Sequence, residues 1–407
     1  MAFGKLFTIA FRDLGRNRRR TLFTMIAVAM GLALTVIMSG LIADVYDQAL
    51  EDNIRLETGH LQLRAESYES DKVSLKWEDL IDNPDEIAAV VDGMEEVVTA
   101  APVLWGSAIV DTADESASLK LFGIETASPF HDPIREAIVA GSFLDDADRN
   151  GILLGQRLVD ELGLSLNQQI SVSAVDSNGE PQEDLFTIRG IFSTGIPAYD
   201  QSTLFMTLDK AQALTLTDGH ASAIVVMLHD QHDADRVAAA LSGSGLKRLT
   251  WRDLNSTLID LLSTGQVIYN IMYAIVLLIV AVVLANTLLM AVFERIREMG
   301  ILAALGMKRN QIMFMYVLEA FIIGLFGVAI GLALGGVGVA YLARNGIYIG
   351  DVGASVEGMA LGTSMHATFD AGMTFWLSVA TLGFTLIASL YPAWFAGRME
   401  PAEALRG

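Results

Sequence analysis

Cysteine is absent from all 407 residues, so no disulfide staples this chain, which suits an exterior of variable redox state. Catalytic signatures are missing as well: there is no Gly-x-Ser-x-Gly elbow and no His-Glu-x-x-His, which argues against an external hydrolase. Histidine is scarce. Among His60, His131, His220, His229, His232 and His366 only His229 and His232 are close, and with Asp230, Asp233 and Asp235 beside them they read as a solvated surface rather than a metal site. No Gly-x-x-x-x-Gly-Lys-Ser/Thr sequence occurs, so any nucleotide is expected on another polypeptide. Charge, finally, is almost missing from four stretches, residues 21–43, 267–292, 312–342 and 373–396. Each exceeds the roughly 20 apolar residues that cross a bilayer core as a helix.

These gaps define the architecture that the rest of the chain fills. The fold class expected is a polytopic α-helical membrane protein with four transmembrane helices, one and then three, separated by a large α+β extracytoplasmic domain over residues 44–264. Residues 44–264 hold 39 acidic and 14 basic residues, so nearly all the acidity of this chain of net charge −21 lies in one segment. Such a domain repels nucleic acid and anionic lipid. Residues 1–20, by contrast, carry Lys5, Arg12, Arg16, Arg18, Arg19 and Arg20 against Asp13, which keeps the N-terminus in the cytoplasm. Four crossings return the C-terminal segment, residues 397–407, to the same side.

The 1–20 segment repeats Phe3, Leu6, Phe7, Ala10, Phe11 and Leu14 at helical spacing, as an interfacial amphipathic helix does. The apolar run that follows is longer than a signal-peptide core, so a retained anchor is expected. In the first span Ala27, Gly31, Thr35 and Ser39 recur every four residues, and in the third Gly327, Gly331 and Gly335 do so. Small residues at this spacing let helices approach closely in lipid, within the chain or between copies. Glu319, seven residues inside the third run, is costly in lipid, and an interfacial ion pair with Lys308 or Arg309 is the expected remedy.

Between the first and second spans the pattern alternates at 60–64, 103–111, 119–122, 170–173, 186–191, 204–207 and 224–228, predicting strands. Helical periodicity interrupts it at 83–94, 156–162, 208–214 and 234–241. Apolar spacing at residues 45–54 and 254–262 predicts two stalk helices that prolong the first span outward and lead into the second. A soft internal boundary is expected near 112–150, and a small external shoulder at 343–372. The linker 293–311 sits between spans two and three, bears Arg295, Arg297, Lys308 and Arg309, and has the periodicity of a helix rather than a loop. Lying along the cytoplasmic face, such a helix suits docking of a cytosolic partner and equally suits resting on lipid headgroups.

Several stretches resemble one family. Arg12-Asp-Leu-Gly-Arg-Asn-Arg-Arg-Arg-Thr, Arg297-Glu-Met-Gly-Ile-Leu-Ala-Ala-Leu-Gly-Met-Lys-Arg, Glu319-Ala and the tail Pro401-Ala-Glu-Ala-Leu-Arg406 are similar to FtsX-like permeases of the MacB and LolC/LolE class. The segments beginning Gly151-Ile-Leu-Leu-Gly and Gly190-Ile-Phe-Ser-Thr-Gly resemble that family's periplasmic domain, and Glu57-Thr-Gly-His-Leu-Gln-Leu-Arg resembles the lipoprotein-releasing branch. The resemblance implies a non-catalytic subunit of an ABC transporter in a bacterial inner membrane, with both termini cytoplasmic and the large domain periplasmic. It implies mechanotransmission, in which a cytoplasmic ATPase that binds ATP and Mg moves the linker, with Glu298, Gly300, Ile301, Leu302, Leu305 and Gly306 as the contacts. The chain itself is expected to bind no cofactor. A second permease, membrane lipid and a lipoprotein, periplasmic carrier or adaptor are the further partners implied. Lipoprotein release is the leading role, with MacB-type efflux and FtsX-like regulation of a periplasmic enzyme as alternatives.

Overall fold

The computed structural model describes residues 12, 15, 16, 18–69, 74–112, 115–146, 148–348, 350 and 363–398. The amphipathic pattern at 1–20 and the tail 397–407 lie almost wholly outside the described residues, as do residues 349 and 351–362 of the 343–372 shoulder. Two compact units emerge, one of residues 1–45, 263–347 and 365–407, the other of 46–262 and 348–364.

The first unit is helical. Its chain runs through α1 (Arg18–Asn53), α2 (Ser256–Glu294), α3 (Ile296–Ala304), α4 (Arg309–Asn345) and α5 (Ala371–Gly397). Helices α1, α2, α4 and α5 are each long and apolar enough to cross a membrane. Helix is forced on such sequences because a lipid-embedded backbone must satisfy its own hydrogen bonds. The glycine row of α4 lies on α1: a Cβ built on Gly327 would stand 2.7 Å from Val28 Cγ1, on Gly331 2.8 Å from the Ala29 carbonyl oxygen, and on Gly335 3.1 Å from Val36 Cβ. Gly31 of α1 instead meets α2, 2.7 Å from Val280 Cγ2, while Ala27 is half-buried. On α5 the buried hydroxyls of Thr381, Thr385 and Ser389 donate to the carbonyls of Leu377, Thr381 and Leu386, so none needs a partner from outside its helix.

The second unit is built on a ten-stranded mixed sheet: β1 (Leu61–Arg64), β2 (Val97–Asp111), β3 (Ser116–Ile124), β4 (Ile138–Gly141), β5 (Gly151–Gly155), β6 (Gln169–Val175), β7 (Pro181–Phe192), β8 (Thr203–Thr207), β9 (Ala223–Leu228) and β10 (Lys247–Thr250). The spatial order is β10-β1-β9-β2-β3-β8-β5-β7-β4, with β6 pairing β2 and β7. Only β3 with β8 and β5 with β7 run parallel among these pairs. The core includes an aromatic group in which Phe205 packs on Phe122 and Phe192 at 5.2 and 5.4 Å. The helices Pro84–Asp92, Gln156–Glu161, Leu208–Thr215 and Ala234–Ala240 fall where the periodicity expects them.

The expected soft boundary at 112–150 is not a linker. Its β3 is paired on both sides, by β2 and β8, and its β4 closes one edge of the sheet against β7. Pro129 and Pro133 there open a 3-10 turn, Pro129–His131, and a short helix, Asp132–Glu136, between β3 and β4. Between α1 and β1 the chain makes one π-helical turn, Ile54–Thr58, closed by Gly59 N–H donating to the Ile54 carbonyl at 2.8 Å.

His131, 3 % exposed, lies in this domain with no acceptor or donor for Nε2 among the described residues. Burial, helped by the Arg135 charge, pushes its pKa down to about 3. The folded domain therefore holds the imidazole neutral where the unfolded chain, with its ordinary value of 6.5, takes up a proton. The contribution is complete above pH 6.5 and drains as pH falls toward 3, at up to about 1.4 kcal/mol per pH unit. Thermal unfolding at pH 7.5 and 5.5 is expected to show a smaller loss in His131→Phe than in the unmutated chain; equal losses would contradict it.

Candidate functional site

The linker between α2 and α4 is the helix α3 that its periodicity anticipates. One face is anchored. Met299, 3 % exposed, packs among Ala291, Val292, Ile312, Met315 and Tyr316, and the Tyr316 hydroxyl lies 3.5 Å from its sulfur. Gly300 is buried on the same side. Ile296, Met299, Gly300 and Ala303 thus form the inward stripe at i, i+3, i+4 and i+7, a spacing that was readable in the sequence but gave no hint that Met299 is its anchor.

The other face is open. Ile301 is 47 % and Leu305 80 % exposed, flanked by exposed Arg297, Lys308 and Arg309, while Leu302 is half-buried. An apolar pair framed by cations has the composition that suits a docked partner and equally suits lipid headgroups. Glu298 forms an ion pair with Arg16 at 2.7 Å, and Arg20 pairs with Glu294 at the same distance. The first ties the basic segment before α1 to the linker helix and the second ties the start of α1 to the end of α2, at the modest strength of surface pairs. These pairs were not foreseen, because nothing in the spacing brings residues almost 280 positions apart together.

Gly306 adopts φ +90°, and the N–H groups of Gly306 and Met307 return to the carbonyls of Ala303 and Leu302. It ends α3 as a left-handed cap, a role that a side chain opposes. Gly306→Ala is expected to lower stability by about 1–2 kcal/mol, seen as a reduced melting temperature in a detergent-solubilised preparation; an unchanged melting temperature would show the cap to be dispensable.

Glu319 does not make the expected ion pair. It is 2 % exposed in the interior of α4, and no ion pair joins it to Lys308 or Arg309 among the described residues. The reason is reach: eleven residues of helix separate it from Lys308, roughly 16 Å of rise, and both cations are exposed at the start of α4.

Two family profiles match the chain. Residues 21–243 match the MacB-like periplasmic core domain and residues 270–401 the FtsX-like permease C-terminal region. The lipoprotein-releasing system transmembrane protein LolC of Neisseria meningitidis is 24 % identical over 96 % of this chain and 95 % of its own length. A probable export ATP-binding/permease protein MacB of Pseudomonas entomophila is 23 % identical over 99 % of this chain and 59 % of its own. An uncharacterized ABC transporter permease of Methanocaldococcus jannaschii is 23 % identical over 100 % of this chain and 99 % of its own. Among solved structures, the periplasmic region of MacB from Actinobacillus actinomycetemcomitans aligns with 51 % of this chain and 97 % of its own, at 16 % identity and a TM-score of 0.35.

Proposed function

We propose, from the premise that this chain belongs to the FtsX-like permease family with a MacB-like periplasmic core domain, that it couples ATP hydrolysis in the cytoplasm to conformational change in its external domain. The observation that carries this reading is α3, held by Met299 on one side and presenting Ile301 and Leu305 on the other. A cytoplasmic ABC ATPase is the assigned occupant of that face, with ATP and Mg bound there, since these 407 residues contain no phosphate-binding loop. The permease role requires no catalytic group of its own. A second permease, as a copy or a paralogue, completes the assembly.

The role favoured is lipoprotein release, supported by the match to LolC along nearly its whole length. Export of MacB type through an adaptor is the second reading, supported by the MacB relatives, and FtsX-like control of a periplasmic enzyme is the third. Purification of the tagged chain from its own membrane, with mass spectrometry of bound protein and lipid, separates them. An ATPase with a lipoprotein or its carrier supports the first, and an adaptor with an outer-membrane channel supports the second. A wall hydrolase supports the third. Recovery of no ATPase would overturn the common premise.

The orientation proposed places both termini in the cytoplasm of a bacterial inner membrane, supported by the cationic 1–20 segment and the acidic 44–264 domain. Because the chain has no cysteine, single replacements report cleanly. Asp218→Cys is expected to react with an impermeant maleimide in cells whose outer membrane alone is opened, and Lys308→Cys only after the inner membrane is breached. The reverse pattern would invert the scheme.

A further inference from the structure

The external domain contains a cavity of about 470 Å³ lined by Arg64, Tyr68 and Trp105, with Lys120 and the acids Glu57, Glu69, Glu78 and Asp79 around them. Its centre is Arg64, at the end of β1. The guanidinium carbon lies 4.3 Å from the ring centroid of Tyr68 and 4.1 Å from that of Trp105, so the group is held between two rings. Arg64 Nε donates to Gln62 Oε1 at 3.0 Å and Nη1 to the Ser222 carbonyl at 3.2 Å. Gln62, 1 % exposed, is itself oriented by donating Nε2 to the Thr58 carbonyl at 2.8 Å, within the π turn.

Every one of these acceptors is neutral. Among the described residues no carboxylate pairs with Arg64 and Nη2 has no acceptor, and burial lowers the pKa to about 10. A half-buried cation whose hydrogen-bond partners are all neutral is stabilised when an anion arrives. Trp105, in the same lining, meets the guanidinium with its ring, while its indole N–H is enclosed in the fold. The acids that also line the cavity are placed differently. Glu57 is paired with Lys120 at 2.9 Å, Asp79 has a partner of its own, and Glu69 and Glu78 are exposed to screening solvent.

We propose that this cavity binds the singly charged anionic head of a small amphiphile. Its carboxylate or phosphodiester oxygens take the spare donors of Arg64, and its apolar part lies along the half-buried Tyr68 and Leu254. The exposed acids select against polyanions, which would meet them without enough compensating donors. The inference is independent of the ATPase-coupled reading, since binding here requires neither nucleotide nor partner chain.

Isothermal titration calorimetry tests it on the full chain in phosphatidylcholine nanodiscs, with octanoate and dihexanoyl phosphatidylglycerol as probes and the heat of empty nanodiscs subtracted. Saturable binding of octanoate alone identifies a free carboxylate as the source, and of phosphatidylglycerol alone a lipid headgroup; either result, or both, supports the site. Arg64→Gln is expected to weaken binding at least about tenfold, and Trp105→Leu, which removes one of the two rings that hold the guanidinium, about threefold. Failure of both probes to saturate, or equal affinity in Arg64→Gln, overturns the proposal. Should Arg64→Gln not fold, Arg64→Lys and Trp105→Leu decide, and unchanged affinity in both overturns it equally.

Discussion

Leu305→Asp is expected to cut ATP-driven activity of the assembled transporter by more than about thirtyfold while the chain still inserts and folds. With Leu305 80 % exposed, the fold loses almost nothing when the side chain changes. A partner seated on that face loses a central apolar contact, of the kind that costs 2 kcal/mol or more on truncation, and must also desolvate a carboxylate. Two kilocalories correspond to roughly thirtyfold in affinity. Met299→Ala makes the contrast, because it removes a side chain that is 3 % exposed and opens a cavity under α3, costing about 2–5 kcal/mol of stability. ATPase stimulation in reconstituted vesicles, beside a melting curve for each variant, distinguishes the two. If Leu305→Asp hydrolyses and transports normally, the open face of α3 is not where the motor engages.

Gly331→Leu is expected to destabilise the membrane unit by about 3 kcal/mol or more, enough to lower the amount of folded protein severely. The nearest atom to a new Cβ there is a backbone oxygen, that of Ala29 at 2.8 Å, followed by Leu32 Cβ at 3.0 Å. A flexible side chain yields to such an intrusion, whereas a helix backbone has to move away, and overpacking of that kind commonly costs 1–3 kcal/mol even where some relief exists. In lipid the loss is felt fully, because close packing rather than water exclusion joins these helices. Gly336→Leu is the internal control, since a Cβ at Gly336 meets nothing within 4 Å. Chemical unfolding of the two variants in the same detergent should differ by most of the predicted amount. Equal midpoints would mean that α1 and α4 are not held by this glycine row.

Much of this structure was legible because the signals are long or strictly periodic. Uncharged runs of 23 or more residues allow little but a membrane helix, and the alternation at 103–111 and 186–191 marks the interiors of β2 and β7. What escaped has physical reasons. The strands β4 and β10 are four residues each, and Lys247-Arg-Leu-Thr250 is an edge segment whose polarity hides its pairing with β1. In β1 the alternation puts Leu61 and Leu63 on one face and Gln62 and Arg64 on the other, which reads as core and solvent. The second face is instead covered, by Tyr68 and Trp105 over Arg64, so the cavity cannot be seen from β1 alone. The linker helix α3 was visible from its period, yet Glu298 and Gly306, singled out as partner contacts, also have internal duties as an ion-pair member and a helix stop.

The wide turn at Ile54–Thr58 solves a problem of phase. A helix advances its side chains by about 100° per residue and a strand by about 180°, and the chain must leave one rhythm and enter the other with Leu61 and Leu63 turned inward. The i to i+5 closure onto Gly59 inserts the angular slack that makes both conditions hold at once. Because β1 is locked between β9 and β10, a deletion of one residue within 54–58 has nowhere to be absorbed except the helix. It would remove the return onto Ile54 and leave the Gly59 N–H without its acceptor.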